Sequence, residues 1–273
     1  MDLATQPVGT KGRDAYLWRL LATALSFALF GLGGLCLRLV IFPLLACLPG
    51  DARRQRLRAR KTVSRLFWLF IRFMARSGVL THDVQGAEQL GRPGQMIIAN
   101  HPSLIDAVFL IGLVRDANCV VKESLWNNPF TRGPVRAAQY ISNDGSLDML
   151  DGASQALHEG QTLIVFPEGT RTQPGQAPTF HRGAAAIALR GARVITPVVI
   201  KVSPSTLTKA EPWYRIPQRR VHFSFHVGAD IDPQTFAAQG PAPQASRKLN
   251  EHLHHYFTKE LARDERYTPG PDS

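Results

Sequence analysis

The sequence predicts an α/β fold, a mostly parallel sheet flanked by helices, preceded by an N-terminal membrane-associated helical segment. Three observations carry this. Short apolar runs such as Leu163-Ile164-Val165-Phe166 fit strands buried on both faces. They alternate with helical stretches at the spacing of βαβ units. Ahead of them, Leu20–Leu37 is free of charge over 18 residues, the lower bound for a segment that crosses a bilayer.

Arg38 interrupts the apolar run, and Leu39–Leu48 continues it. One reading is a single tilted transmembrane helix with Arg38 snorkelling to the interface. The other is a helical hairpin, bent near Gly31, Gly33 and Gly34 or near Pro43, that dips into one leaflet. A cleaved signal peptide fits less well, because the stretch is too long and no small-x-small site follows. A core helix of a soluble protein is the remaining alternative. The chain has 273 residues, a net charge of +11, 44% hydrophobic and 19% charged residues. A dense part of that charge is Arg53, Arg54, Arg56, Arg58, Arg60, Lys61 and Arg65, directly after the apolar segment. Such a run attracts anionic headgroups and, by the positive-inside rule, places the following chain on the cytoplasmic side of an inner (cytoplasmic) membrane. Leu66–Met74, with Phe67, Trp68, Phe70 and Phe73 among arginines, reads as an interfacial helix or as a core-facing helix of the next domain. The organisation expected is 1–76 for anchor and basic helix, 77–265 for a catalytic domain, and 266–273 for a disordered tail.

The catalytic domain follows in order. Expected strands are Met96–Ala99, Cys119–Lys122, Gln139–Ser142, Thr162–Phe166, Val194–Val202 and Val221–Val227. Helical stretches lie at Asp106–Val114, Leu147–Glu159 and Gly183–Arg190. Ser203–Gln218, rich in Pro, Ser and Thr, reads as a loop. Leu249, Leu253, Tyr256, Phe257 and Leu261 recur at helical spacing and should dock on the body. His252, His254 and His255 read as solvated, on an exposed helix end. Cys36, Cys47 and Cys119 lack paired spacing, which suggests a reducing compartment.

Two islands carry the chemistry. Asn100-His101-Pro102-Ser103-Leu104-Ile105-Asp106 begins where a strand stops, the end of an open parallel sheet at which ligands bind. Pro102 favours an extended His101. Ser103 is placed to cap a helix starting at Leu104, with Asp106 in its first turn. From there Asp106 can accept a hydrogen bond from His101, fix its tautomer and leave the other ring nitrogen as a base. Phe166-Pro167-Glu168-Gly169-Thr170-Arg171 ends another strand. Gly169 permits a tight turn, and the turn amides with Arg171 can bind an anion such as phosphate. The plainer alternative is a strand-to-loop turn with a Glu168–Arg171 salt bridge.

The ordered pair of islands resembles the glycerolipid acyltransferases of the 1-acyl-glycerol-3-phosphate acyltransferase type. The resemblance spans about Ser77 to Val202 and includes Phe180-His181-Arg182-Gly183 and Val194-Ile195-Thr196-Pro197-Val198-Val199. It implies acyl transfer from acyl-CoA or acyl carrier protein to a hydroxyl of a lysophospholipid-type acceptor. His101 would be the base and Asp106 its partner, with Glu168, Gly169, Thr170, Arg171 and Arg182 binding the acceptor. No metal or redox cofactor is implied. One block departs from the family. Ala137–Asp144 puts Asn143 or Asp144 about where the family has an arginine that helps hold the acceptor phosphate. Neither replaces a guanidinium fork, although Arg132 or Arg136 lies nearby in sequence. Val121–Trp126 through Asn143-Asp144 also resembles a divergent bacterial branch linked to specialised lipids such as aryl-polyene-type conjugates.

Three other classes fit the sequence less well. A membrane-tethered nucleic-acid binder explains the charge but leaves both islands without a role, so no nucleic-acid partner is expected. A thioester hydrolase would use the same His101–Asp106 pair with water as acceptor. An idle membrane scaffold leaves both intact islands unexplained.

Overall fold

A computed structural model of the chain describes residues 15–263. The expected tail, 266–273, lies outside the described residues. A seven-stranded sheet organises the molecule, in the order β1-β7-β6-β2-β5-β3-β4. The strands are β1 (Leu80–Gln85), β2 (Gln95–Ala99), β3 (Asn118–Lys122), β4 (Ile141–Asn143), β5 (Leu163–Val165), β6 (Val194–Ser203) and β7 (Val221–Val227). All neighbours are parallel except β6 and β7, so the sheet is mostly parallel, as expected. The strand β1 was not expected. Its Leu-Thr-His-Asp-Val-Gln lacks an apolar run because it is an edge strand with one polar face.

One face of the sheet is covered by the N-terminal helices α1 (Tyr16–Cys36), α2 (Phe42–Ala46) and α3 (Ala52–Arg76), by α4 (Asp106–Leu113), and by the short α5 (Ser124–Asn127) and α6 (Arg132–Ala137). Phe109, Phe223 and Phe225 lie at the centre of this layer. The other face carries α7 (Leu147–His158), α8 (Arg182–Gly191) and α10 (Ala242–Arg263), with the short α9 (Gln234–Ala237) alongside. Leu249, Leu253 and Phe257 of α10 are fully buried, with Tyr256 and Leu261 at the margin, so the expected stripe docks. His252, His254 and His255 lie inside α10, not at its end. His254 meets Phe180 edge-on and His252 packs on Phe236.

The expected strand Gln139–Ser142 starts later, at Ile141. Arg60 is the reason. Its Nε donates to Ala138 O at 2.8 Å, and its Nη2 donates to Gln139 O. These carbonyls close α6, and Gln139 turns with φ +51°. Arg60 is thus not one of the lipid-facing cations of its run. It is a fully buried wedge whose Nη1 also bonds Gln161 Oε1 at 2.8 Å, and burial lowers its pKa to about 10.

Tyr16–Ala46 is long and apolar enough to cross a membrane. Helical backbone continues without a break through Gly31, Gly33, Gly34 and Pro43. A π-helical turn at Leu37–Ile41 joins α1 to α2, and Pro43 is the second residue of α2. Gly34 leaves no room for a Cβ because the Phe130 carbonyl lies against it. The chain reverses after α2, and α3 returns beside α1. Asp51 caps α3 by accepting from the Arg54 N–H at 2.8 Å. Phe30 of α1 packs on Phe67 and Phe70 of α3. The aromatics of α3 therefore face inward, while Lys61, Arg65, Arg72 and Arg76 form its exposed stripe. Both ends of the apolar helix are fastened to the body. Trp18 Nε1 donates to Ser77 O at 2.9 Å, and Arg38 Nη1 reaches Pro129 O at 3.4 Å. On the outer side, Leu17, Leu21, Leu25, Leu29 and Leu32 stay exposed.

Candidate active site

The two islands meet because β2 and β5 are neighbours at the centre of the sheet, with Ile98 opposite Val165. Their carboxyl ends open side by side. From β2 the chain enters Asn100, whose amide side chain is buried and bonded to β6: its Nδ2 donates to Ile200 O at 2.8 Å and its Oδ1 accepts from Ile200 N at 2.7 Å. That anchor fixes where His101 begins. The His101 ring is stacked on Phe166, centroids 4.4 Å apart, and its side chain is 18% exposed.

His101 Nδ1 lies 3.1 Å from Asp106 Oδ2. The same oxygen accepts the Ser103 N–H at 2.6 Å. Ser103 does not cap the helix with its hydroxyl, which is buried without a partner. The helix starts at Asp106, whose side chain reaches back to the loop, so the carboxylate does the organising expected of Ser103. Asp106 is fully buried and its Oδ1 has no partner. Burial raises its pKa, and the His101 and Ser103 hydrogen bonds and the charge of Arg171 pull it back.

The expected alternative of a Glu168–Arg171 salt bridge is not what forms. Glu168 Oε1 accepts the His101 N–H at 2.9 Å, and Oε2 accepts the Thr172 hydroxyl. Thr172 N in turn donates to His101 O at 3.1 Å. Glu168, almost completely buried, thus ties the second island to the backbone of the first, and burial raises its pKa too. Arg171 Nη1 donates to Leu207 O at 2.7 Å and Thr208 O at 3.0 Å, and burial lowers its pKa. Gly169 has φ +65°, a left-handed turn that a side chain would strain, and it faces the His181 ring. Thr170 is exposed beside it, and Arg182 is exposed at the start of α8. Asn143, at the end of β4, has its amide nitrogen 3.9 Å from where a Gly169 Cβ would stand. Arg136 lies near Ala138, whose carbonyl Arg60 holds at the amino ends of the strands, away from the site. Asn100, Phe166 and Thr172 are the site-shaping residues to which sequence reasoning assigned no role.

A cleft of about 1,020 Å³ lies on the α10 side of this loop pair. Asn100, Pro102, Glu168 and Thr172 form one wall, and Lys201, Ser224 and Asp83 contribute polar groups to its lining.

Residues 81–201 match the Acyltransferase family model. The chain is 25% identical over 189 residues to a 1-acyl-sn-glycerol-3-phosphate acyltransferase of Pseudomonas aeruginosa, covering 67% of this chain and 70% of that protein. It is 29% identical over 215 residues to the yeast (Saccharomyces cerevisiae) protein of the same name, covering 75% of this chain and 66% of that one, just under two thirds. Its fold matches the crystal structure of the 1-acyl-sn-glycerophosphate acyltransferase PlsC from Thermotoga maritima, with TM-score 0.68, 20% identity, and coverage of 94% of this chain and all of that one. Over these spans the chain is similar to the 1-acyl-glycerol-3-phosphate acyltransferase-like family, and the matches support an O-acyltransferase.

Proposed function

We propose that the protein transfers an acyl group from acyl-CoA or acyl carrier protein to a hydroxyl of a lysophospholipid-type acceptor at a membrane surface. The observation that carries this is the His101–Asp106 pair at the open ends of the central strands. Asp106 accepts from Nδ1–H, so Nε2 is left as the base. The acceptor hydroxyl gives its proton to Nε2 while its oxygen attacks the thioester carbonyl carbon. Asp106 stabilises the imidazolium. As the C–S bond breaks, that proton passes to the departing sulfur. Positioning of this kind is worth roughly 10²–10⁴ in rate.

Glu168 acts in this reading through the backbone of His101, holding the base where the donor and acceptor meet. The Gly169–Thr170 turn, Arg171 and, at the rim, Arg182 face the acceptor headgroup. The cleft behind the loop, with Lys201, Ser224 and Asp83 in its lining, is large enough to take part of a donor.

The membrane is met by the N-terminal helices. A helix held to the body at both Trp18 and Arg38 favours lying in one leaflet over crossing it. The exposed leucines then face acyl chains and the arginines of α3 reach headgroups. The catalytic domain is assigned to the cytoplasmic side of the inner membrane.

A second reading keeps the mechanism and changes the acceptor. Asn143 beside Gly169 supplies an amide where a phosphate-holding cation would stand, which favours a non-glycerophosphate hydroxyl lipid. Both readings are tested together with purified wild type and His101→Ala, labelled thioester, and either 1-acylglycerol 3-phosphate or a phosphate-free hydroxyl lipid. The expected result is a loss of about 10²-fold or more in His101→Ala. Near-wild-type turnover by the folded variant overturns the assignment. Faster turnover of the phosphate-free lipid selects the second reading, and release of free acid without acceptor selects hydrolysis.

A further inference from the structure

The segment 204–220, between β6 and β7, is the longest stretch outside regular elements in the described catalytic domain, and nothing above gives it a role. It is tied at its base to both islands. The Leu207 carbonyl accepts from the Leu104 N–H at 3.1 Å and from Arg171 Nη1, while Leu207 itself is buried at φ +52°. Its far end is tied to the apolar helix. The buried Arg19 of α1 donates to the carbonyls of Pro217, Gln218 and Arg219 at 2.9, 2.5 and 3.1 Å. Between these ties the loop carries Trp213, 41% exposed, and Tyr214, 59% exposed. The Trp213 ring also packs on Phe27 of α1, centroids 5.8 Å apart.

The charges around the two aromatics share a sign. Lys209, Arg215, Arg219 and Arg220 are exposed. The one acid of the segment, Glu211, is turned inward to the Thr208 N–H and hydroxyl, both at 3.1 Å. Trp and Tyr with adjacent cations, beside an exposed leucine stripe, match the composition of a membrane–water boundary.

We propose that the loop 204–220 is an additional membrane-contacting element, with Trp213 and Tyr214 at headgroup depth and its cations on anionic phospholipid. Through Leu207 and Thr208 it sets the distance of Arg171 and the Gly169 turn from the bilayer. It thereby presents a lipid headgroup to the site in a fixed orientation. The inference rests on the membrane-anchored reading above. An acidic carrier protein would also meet the cations, but an exposed Trp packed against the lipid-facing helix favours the bilayer.

The test uses the full chain labelled with 5-fluorotryptophan in nanodiscs of phosphatidylglycerol and phosphatidylcholine, with a spin label on the headgroups. Loss of one ¹⁹F signal in Trp213→Phe, and of another in Trp18→Phe, assigns the two resonances. The expected result is broadening of both, while Trp213→Ala/Tyr214→Ala raises KM for bilayer-borne acceptor about tenfold with kcat within about twofold. Broadening of Trp18 alone overturns the loop proposal and leaves the anchor standing. Broadening of neither removes the anchor reading and the loop proposal with it. A Trp213 resonance that responds to acyl carrier protein but not to labelled lipid overturns the bilayer assignment.

Discussion

Replacing Asp106 by Asn removes one charge and almost no volume, so it separates electrostatics from packing. Asp106 Oδ2 accepts two N–H groups, from His101 and Ser103, and Oδ1 accepts none. An asparagine can set its oxygen at the Oδ2 position and keep both bonds. Its amide nitrogen then takes the unpartnered position, next to a Ser103 hydroxyl that also lacks a partner. Burial already disfavours the Asp106 charge. Folding stability should therefore change by less than about 1 kcal/mol, since a neutral bond replaces a charged one while a buried charge disappears. The reaction should suffer far more. In the transition state the imidazolium stands 3.1 Å from the carboxylate at closest approach. With both charges spread over their groups, a mean separation of about 4–5 Å and an effective dielectric of about 20 give about 3–4 kcal/mol. That corresponds to about 10²–10³ in kcat/KM. The assay is acyl transfer at saturating thioester, alongside urea unfolding of the same preparation. A variant within tenfold of wild type would refute the assignment of Asp106 as the stabiliser of a charged His101. A variant that loses several kcal/mol of stability would show that the carboxylate is holding the loop instead.

Glu168 leads to a stability dependence with a definite sign. Burial raises its folded-state pKa above the unfolded value of about 4.3, so the folded protein holds a proton that the unfolded chain lacks between those two values. Stability from this group is present at low pH and falls as pH rises through that window. Glu168→Gln should flatten this part of the Tm-against-pH curve, and an unchanged slope would contradict it. For Arg60→Ala, the carbonyls of Ala138 and Gln139 lose the Arg60 donor, and Gln161 Oε1 keeps only the bond from Asn118. The expected cost is about 2–4 kcal/mol in urea unfolding, and a loss below about 1 kcal/mol would count against the wedge.

The parts of the fold legible in the sequence were those whose burial shows as a continuous local run of apolar residues. The runs Met96–Ala99 and Leu163–Phe166 are buried on both faces, so hydrophobicity alone exposes them. β1 escaped because an edge strand with one polar face has no such run. Arg60 escaped for a different reason. It lies within a run dense in arginine, and only the positions of two carbonyls in another part of the chain mark it out as buried. In the site, His101 and Asp106 were legible because they are local to one loop and the geometry of one helical turn brings them together. The partners of Glu168 were not. A carboxylate beside an arginine suggests a local pair, whereas the sheet order sets a backbone N–H from another strand closer and better aligned.

The consequence is an asymmetry between the islands that depends on sheet order. Because β2 and β5 are adjacent, Glu168 meets the His101 amide rather than Arg171. Arg171, left without that carboxylate, turns to the carbonyls of Leu207 and Thr208 in a loop that is itself fastened to α1 by Arg19. One end of the second island therefore holds the base, and the other end is coupled to the apolar helix. A substitution at Arg171 would disturb the loop as well as any anion near the turn, so its kinetic effect alone would not identify a phosphate contact. Asn143 is the cleaner position from which to judge headgroup chemistry. It borders Gly169, lies at a strand end and stays exposed without being part of these ties.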